Sequence, residues 1–398
     1  MAEQQNRVHD LFEKVAESPV YGDKDMADAI FPRERLMEAK DNLLPMMGAV
    51  AMGAAKTFGP AFSEAPKSLD LQEISWKAGI RVVAYAKILA LGEARAPALD
   101  AFGQMVAGMY IPNDLVDSGS AWSSKAMEAI AFVSRKIRRR ETVESDDSLV
   151  KAIASPIEHV KTVALPEDQP YLLDGVYQRI LHSEVAMRRF SNAYVNSEDR
   201  SGFIARYARK IAETSSISAG ARDIADGIHA LAREKDFFDR NETDIPSLDD
   251  LEKNEHIGEF RQVLNTYARL VDDVGDCNKD KLGIDGGDDS GKFSINVFNQ
   301  AEPELIEAYL DYGKITGERK EEIFAMITAF AQINDEDTER KAQSKVRIIE
   351  SLTDHMREYT WVVLQNTSGF ESYIRRCMRV ATISHVNGVG DDNMIANT

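Results

Sequence analysis

The chain has 398 residues, of which 43% are hydrophobic and 29% are charged, with a formal net charge of −18 at pH 7. This is a globular composition, and the length suffices for one large domain or two ordinary ones. The acidic balance argues against a nucleic-acid partner as a property of the whole protein, because binding phosphate backbones requires a basic surface.

The N-terminal part of the chain predicts neither a targeting segment nor a membrane span. Its first residues, MAEQQNRVHDLFEKVAE, are polar and lack the apolar stretch of a signal peptide. The longest apolar run, at 43–55, is too short to cross a bilayer. The two cysteines, Cys277 and Cys377, do not make a disulfide framework. We therefore expect a cytoplasmic protein.

Nearly every long segment places apolar residues three or four positions apart, which is the spacing of a helix with one buried side. The clearest segments, in chain order, are 74–94, 98–111, 172–194, 258–274 and 321–333. Polar and charged residues interrupt this pattern at 138–148 and 241–255, which predicts breaks there. The pattern predicts an all-α, single-domain bundle of about ten or more helices at 31–385. An N-terminal segment at 1–30 and a flexible tail at 386–398 complete the expected organisation.

A first cluster of side chains that carry oxygen atoms lies at the end of one of the predicted helices. In MYIPNDLVDSGS, Asn113 and Asp117 lie four residues apart, and Asp114 is adjacent to Asn113. Residues four apart share a helix face, so this side of the helix offers oxygen ligands to a metal. Chance is the alternative explanation for so short a motif.

A second cluster is more regular. In RLVDDVGDCNKD, Asp272, Asp276 and Asp280 are spaced four apart and form one stripe if the helix continues to residue 280. Like charges at this spacing cost roughly a few tenths of a kcal/mol per pair, and a bound cation offsets that cost. Magnesium prefers carboxylate oxygens and is often shared with substrate phosphates. The stripe predicts a Mg²⁺ site that presents a diphosphate; the alternative is a solvated acidic helix end.

These residues resemble the class I isoprenoid synthase superfamily, which contains trans-prenyl diphosphate synthases and class I terpene cyclases. NDLVD at 113–117 is similar to the family's first DDxxD motif, with Asn113 in place of the leading aspartate. DDVGDCNKD at 272–280 resembles the second motif of both branches, with Lys279 at the lysine of the cyclase pattern. The resemblance covers roughly residues 35–380. It implies an all-α barrel in which the two motifs hold about three Mg²⁺ ions that clamp the substrate diphosphate.

Within the superfamily, chain-extending synthases bind a second substrate, isopentenyl diphosphate, through a basic segment, a histidine and an RRG sequence. Here Asp41 and Leu44 stand at arginine positions, Val106 stands at the histidine position, and no RRG follows Asp117. Burying the diphosphate of a second substrate without cationic partners would be severely unfavourable. We therefore predict that the isopentenyl diphosphate site has been lost. The resemblance therefore implies a terpene cyclase acting on one allylic polyprenyl diphosphate, with geranylgeranyl or farnesyl diphosphate as the expected substrate. The alternatives are a divergent prenyl diphosphate synthase, a non-catalytic synthase-like subunit and an unrelated acidic helical scaffold.

The cyclase resemblance also assigns a diphosphate sensor. ARDIADG at 221–227 is similar to the cyclase segment that carries a sensing arginine followed by Asp-Gly. The resemblance then implies that Arg222 is the sensor of the substrate diphosphate. It also implies that Gly227 lies at a break in the helix and that its carbonyl group acts as the effector. The alternative is an ordinary surface arginine before a mid-helix glycine.

Further arginines are candidates for binding the diphosphate. WVVLQNTSGFESYIRRCM resembles the C-terminal segment of the cyclases, in which Arg375 or Arg376 binds the diphosphate in the closed state. Arg188 and Arg189 are also candidates, since a planar guanidinium suits phosphate oxygens. A solvated charged face is the alternative explanation for these side chains.

Aromatic rings on the apolar helices are the expected lining of the substrate cavity, because ring faces stabilise cations by about 0.5–2 kcal/mol. The candidates are Trp76, Phe102, Tyr110, Tyr177, Phe190, Tyr194 and Trp361. Tyr110, Phe190 and Trp361 are assigned to substrate binding, although ordinary core packing is the alternative for each ring taken singly. The resemblance is compatible with a homodimer.

Overall fold

A computed structural model describes residues 10–15, 43–63, 96–117, 121–233, 245–282 and 295–389. All regular secondary structure within these ranges is helical, which confirms the all-α prediction. The buried apolar side chains of the described helices form one hydrophobic core. None of the helices in these ranges is long and apolar enough to cross a membrane.

The described helices fall, in chain order, into two groups. The first group is α1 (Leu43–Phe62), α2 (Ala96–Asp117), α3 (Ala121–Arg138), α4 (Ser148–Val163), α5 (Gln169–Leu173), the π-helix π1 (Asp174–Ile180), α6 (Leu181–Val195) and α7 (Arg200–Ser218). The second group is α8 (Ala221–Ala232), α9 (Leu248–Lys253), α10 (Glu255–Leu282), α11 (Val297–Gln300), α12 (Pro303–Tyr312), α13 (Gly317–Ala331), α14 (Thr338–Asn366) and α15 (Glu371–Val389).

The predicted breaks agree with the structure at one place and differ at the other. The break at 138–148 separates α3 from α4, and the Asp147 carboxylate caps the N-terminus of α4. The break at 241–255 is partly wrong, because α9 forms inside it. Ser247 and Asp250 make a capping box that satisfies the first N–H groups of this short helix.

Helix α8 lies at the centre of the bundle, packed against α2, α10 and α15. Every residue of α8 except Arg222 is buried. The Arg222 N–H donates to Oδ1 of Asn265 over 2.8 Å, whereas the side chain of Asp226 meets Arg261. Because rising numbers on α8 meet falling numbers on α10, the two helices are antiparallel.

Helix α15 runs parallel to α10. Tyr373 contacts Arg261, and Gly388 packs against Val271. The helix continues to Val389, so the predicted flexible tail at 386–398 begins too early. The reason is burial, because Val386 and Gly388 pack into the core. The remaining residues of that segment lie outside the described part of the chain.

The crossing of α10 and α15 depends on glycine. A Cβ atom at Gly388 would overlap Cγ1 of Val271 and lie 3.1 Å from the Val271 carbonyl oxygen. Since valine side chains are stiff and the backbone cannot yield, we expect Gly388→Ala to lower the free energy of unfolding by about 1–3 kcal/mol. Urea denaturation measures this change.

Gly258→Ala is the matched control for that substitution. Gly258 lies in α10, and a Cβ atom added there would have no neighbouring atom within 4 Å among the described residues. The same change should therefore stabilise the protein by about 0.5–1 kcal/mol through helix propensity. Equal effects of the two substitutions would contradict a tight helix crossing at Gly388.

Candidate functional site

The aspartate stripe, Asp272, Asp276 and Asp280, is carried by one continuous helix, since α10 extends to Leu282. Asp272 is seven residues beyond Asn265, which is nearly two full turns and a rise of about 10 Å. It therefore points to the same side of α10 as Asn265, towards α8. Asp276 keeps that direction about one turn higher.

The stripe continues past the end of α8, because α8 begins at Ala221, beside Asn265. At this level Asp272 is exposed, with 55% of its side chain accessible, and Asp276 is partly buried. The N-terminus of a helix carries a partial positive charge and unpaired N–H groups. Asp272 and Asp276 lie about 10 Å and about 16 Å along α10 beyond the level at which α8 begins, and one of the first N–H groups of α8, that of Arg222, already donates to Asn265.

The helix break expected at Gly227 lies elsewhere. Helix α8 runs through Gly227 without interruption, and the chain instead breaks at Ala219 and Gly220, where Gly220 adopts a positive φ of 67°. Gly227 has a packing role, since an added Cβ would overlap the methyl group of Met105 on α2. The sequence pattern does not distinguish a glycine needed for close packing from one needed for a break.

A buried carboxylate that the sequence analysis did not select lies next to the stripe. Asp273 is 1% exposed and pairs with Arg269, whose Nη2 lies 2.5 Å from Oδ1 of Asp273. Arg269 also lies 3.9 Å from Asp272. The spacing of Arg269 and Asp273, four residues apart on a helix, is the signal that would have found this pair.

Chain segments from elsewhere reach the same end of α10. The side-chain amide of Asn296 donates to the Asp273 carbonyl oxygen over 2.7 Å, and the N–H of Ile295 contacts Oγ of Ser191 over 3.4 Å. Ser191 lies on α6, one turn beyond Arg188, which is partly buried. Arg188 therefore lies one helical turn from a residue that contacts this end of the bundle, while Arg189 is exposed to solvent.

The first predicted motif is only partly described. Asn113 lies on α2, and its Oδ1 atom is buried without a hydrogen-bond partner among the described residues. An orphaned amide oxygen is the type of group that accepts a hard cation. Within the part of the chain whose side chains are described, no three His, Cys, Asp or Glu side chains assemble into a metal-binding group. The predicted residues whose side chains lie outside that part are Trp76, Tyr110, Asp114, Asp117, Tyr177, Lys279 and Asp280.

A buried ionic network surrounds Asp226 in the middle of α8. Its Oδ1 accepts hydrogen bonds of 2.7 Å from both Arg261 and Tyr373, and its Oδ2 lies 3.4 Å from Nε of Arg222 and 3.8 Å from Arg179. Burial by itself would raise the pKa of Asp226, but the arginines, led by Arg261, outweigh burial and lower the pKa to about 2. Asp226 is therefore a permanent anion inside the protein.

The predicted C-terminal arginines differ in their surroundings. Arg376 is buried and contacts Nδ1 of His229 over 3.2 Å, while Arg375 is exposed. The neighbouring Tyr373 meets Arg261, which is eleven residues, or about 16 Å along α10, from Asp272. The assignment of Arg375 or Arg376 to diphosphate binding in the closed state stays a prediction. The register between α15 and α10 is set by tertiary packing, so the sequence motif did not reveal it.

The aromatic candidates divide in a similar way. Phe102 is buried beside Gly227. Phe190 is partly buried, and its ring centroid lies 5.8 Å from that of Tyr207 with the two rings tilted by 50°, at the surface between α6 and α7. Trp361 is 45% exposed on α14, so its prediction as part of a cavity lining is wrong. The apolar residues of α14 that face the core lie on its other side.

Two buried histidines predict acid sensitivity. Burial lowers the pKa of His229 to about 3 and that of His385 to about 4, from an ordinary value of 6.5. Because both folded values are depressed, the unfolded chain binds more protons below pH 6.5. Stability is then complete above that pH and falls between about pH 6.5 and 4, by up to about 1.4 kcal/mol per pH unit for each histidine.

The measurement is the urea midpoint as a function of pH. His385→Gln should give a shallower dependence between pH 6.5 and 4, and His256→Gln, at an exposed position on α10, should leave the slope unchanged. A slope that is the same in all three proteins would contradict the assignment to buried histidines.

The groups at the aspartate end of α10 suit one kind of chemistry. Oxygen ligands for a hard cation lie beside Arg269, on the side of α10 that faces α8. This combination can bind a polyanion together with a divalent metal. Comparison with known proteins gives no family assignment, because no family model matches the chain and no curated protein matches it.

Proposed function

We propose that the protein is a Mg²⁺-dependent class I terpene cyclase that ionises an allylic polyprenyl diphosphate and cyclises the resulting cation. The observation that carries the proposal is the position of Asp272 and Asp276 on the α8-facing side of α10, about two and about three helical turns beyond the level of the N-terminus of α8. Arg269 beside them and Arg188 on α6 add positive charge at the same end of the bundle. Geranylgeranyl diphosphate or farnesyl diphosphate is the expected substrate.

Three of the predicted ligands fit the cation that the proposal requires. Asp272, Asp276 and the orphaned Oδ1 of Asn113 are hard oxygen donors. When bound there, Mg²⁺ would neutralise negative charge on the diphosphate. Arg269, which lies 3.9 Å from Asp272, would contact the diphosphate oxygens.

The reaction then needs little from the rest of the chain. The bond between the allylic carbon and the diphosphate oxygen breaks, and both electrons leave with the diphosphate. A double bond further along the chain attacks the cation, and the released diphosphate can take the final proton. The positive groups stabilise the charge that develops on the leaving group, and an apolar core keeps out water that would quench the cation.

A non-catalytic synthase-like subunit is the second candidate. Asn113 places a neutral amide where the first motif of the family has a carboxylate. In addition, Arg222 and Arg376 are engaged in buried contacts away from the stripe. A cytoplasmic location and a homodimer are part of the proposal for either candidate.

Product analysis tests the proposal. The purified protein would be incubated with Mg²⁺ and geranyl, farnesyl, geranylgeranyl or geranylfarnesyl diphosphate, each with and without isopentenyl diphosphate, and hexane extracts analysed by gas chromatography with mass detection. A cyclic hydrocarbon or alcohol from one allylic diphosphate alone is the expected result. Longer diphosphates formed only with isopentenyl diphosphate would establish a prenyl diphosphate synthase instead. No product in any mixture would favour the non-catalytic subunit.

A further inference from the structure

The side chain of Arg222 is turned away from the aspartate stripe. Its backbone begins α8 beside Asn265, but its Nε lies 3.4 Å from Asp226 and its Nη2 lies 2.5 Å from Oε2 of Glu252. The same Oε2 atom accepts a hydrogen bond of 2.8 Å from Arg261. Arg261 precedes Asn265 by one turn on α10, so both acceptors draw the guanidinium of Arg222 in the direction opposite to Asp272.

The two acceptors are not equivalent. Asp226 is fully enclosed and holds hydrogen bonds of 2.7 Å from Arg261 and Tyr373, so it remains paired without Arg222. Glu252 belongs to the short helix α9, and 45% of its side chain is exposed. A half-exposed carboxylate recovers hydration when it is released, so its ion pairs are the weaker ones. Glu252 is therefore the partner that can exchange.

We propose that Glu252 is a positioning residue that holds Arg222 away from the aspartate stripe until a diphosphate replaces Glu252 as the partner of Arg222. The inference rests on the proposed function, because it requires a diphosphate at the stripe. The exchange conserves the pairing of Arg222, since one oxyanion takes the place of another. It needs only rotation about the side-chain torsions, because the backbone of Arg222 already lies at the stripe end of α8.

Calorimetric titration of the full-length protein with inorganic diphosphate in the presence of Mg²⁺ tests this inference. Glu252→Gln keeps the size of the side chain and removes its charge, so diphosphate should bind with a Kd about 3- to 10-fold lower than in the wild type. Glu252→Asp keeps the charge but shortens the reach to Arg222, and should give an intermediate gain. When Arg222 is already replaced by glutamine, adding Glu252→Gln should bring no further gain in affinity for diphosphate.

Glu255→Gln is the matched control, because it makes the same charge change at an exposed position three residues away, in the first turn of α10. An equal gain in diphosphate affinity in this control would show that the effect comes from the change in net charge, and it would overturn the inference. Wild-type affinity in both Glu252 variants, with diphosphate binding intact, would overturn the inference and leave the proposed function standing. Failure of every protein to bind diphosphate would overturn both.

Discussion

Replacing Asp276 with alanine should lower the rate of conversion of the allylic diphosphate by about 10²- to 10³-fold. Asp276 is partly buried and points to the same side of α10 as Asn265, beyond the N-terminus of α8. Removing its carboxylate takes away an oxygen ligand and therefore weakens the neutralisation of the leaving diphosphate. Steady-state rates measured over a range of Mg²⁺ concentrations give the effect, and higher Mg²⁺ should restore part of the lost rate.

Asp354→Ala is the control for Asp276→Ala. Asp354 is also a partly exposed aspartate in the middle of a long helix, where it pairs with Arg319 and Arg357 on the outside of the bundle. Its loss should cost at most about 1 kcal/mol of stability and leave turnover unchanged. If the Asp276→Ala protein converted substrate at the wild-type rate, the stripe could not be part of the proposed metal site.

Replacing Asp226 with alanine should lower the free energy of unfolding by about 3–5 kcal/mol, the largest stability effect expected for this chain. The substitution leaves Arg261, which is 1% exposed, without its main buried counter-charge. It also removes the acceptor of the Tyr373 hydroxyl group. Since Asp226 connects α8 to α10 and α15, the loss should appear as a lower urea midpoint of the whole protein.

Tyr373→Phe separates the charge from the hydrogen bond. It removes the hydroxyl group between Arg261 and Asp226 but leaves their direct contact of 2.7 Å. This variant should lose only about 1–2 kcal/mol. A loss as large as that of Asp226→Ala would mean that the hydroxyl group, and not the buried anion, holds the three helices together.

The helices and the stripe could be predicted because both depend on local spacing. Apolar residues three or four apart identified α10, and Asp272, Asp276 and Asp280 share a direction on any helix that reaches residue 280. The pair of Arg269 and Asp273 follows from the same rule and could have been found. By contrast, nothing local connects Arg261 with Tyr373, which are 112 residues apart in the chain.

The sequence by itself determined an all-α chain and an acidic stripe on one long helix, because a regular helix converts spacing directly into direction. Only the tertiary structure decided what that stripe faces. It placed the start of α8 about two helical turns before Asp272, continued α8 through Gly227 with the break at Gly220, and paired Arg376 with His229. These outcomes depend on the register of helices that pack through side chains far apart in the chain, and no local pattern encodes that register.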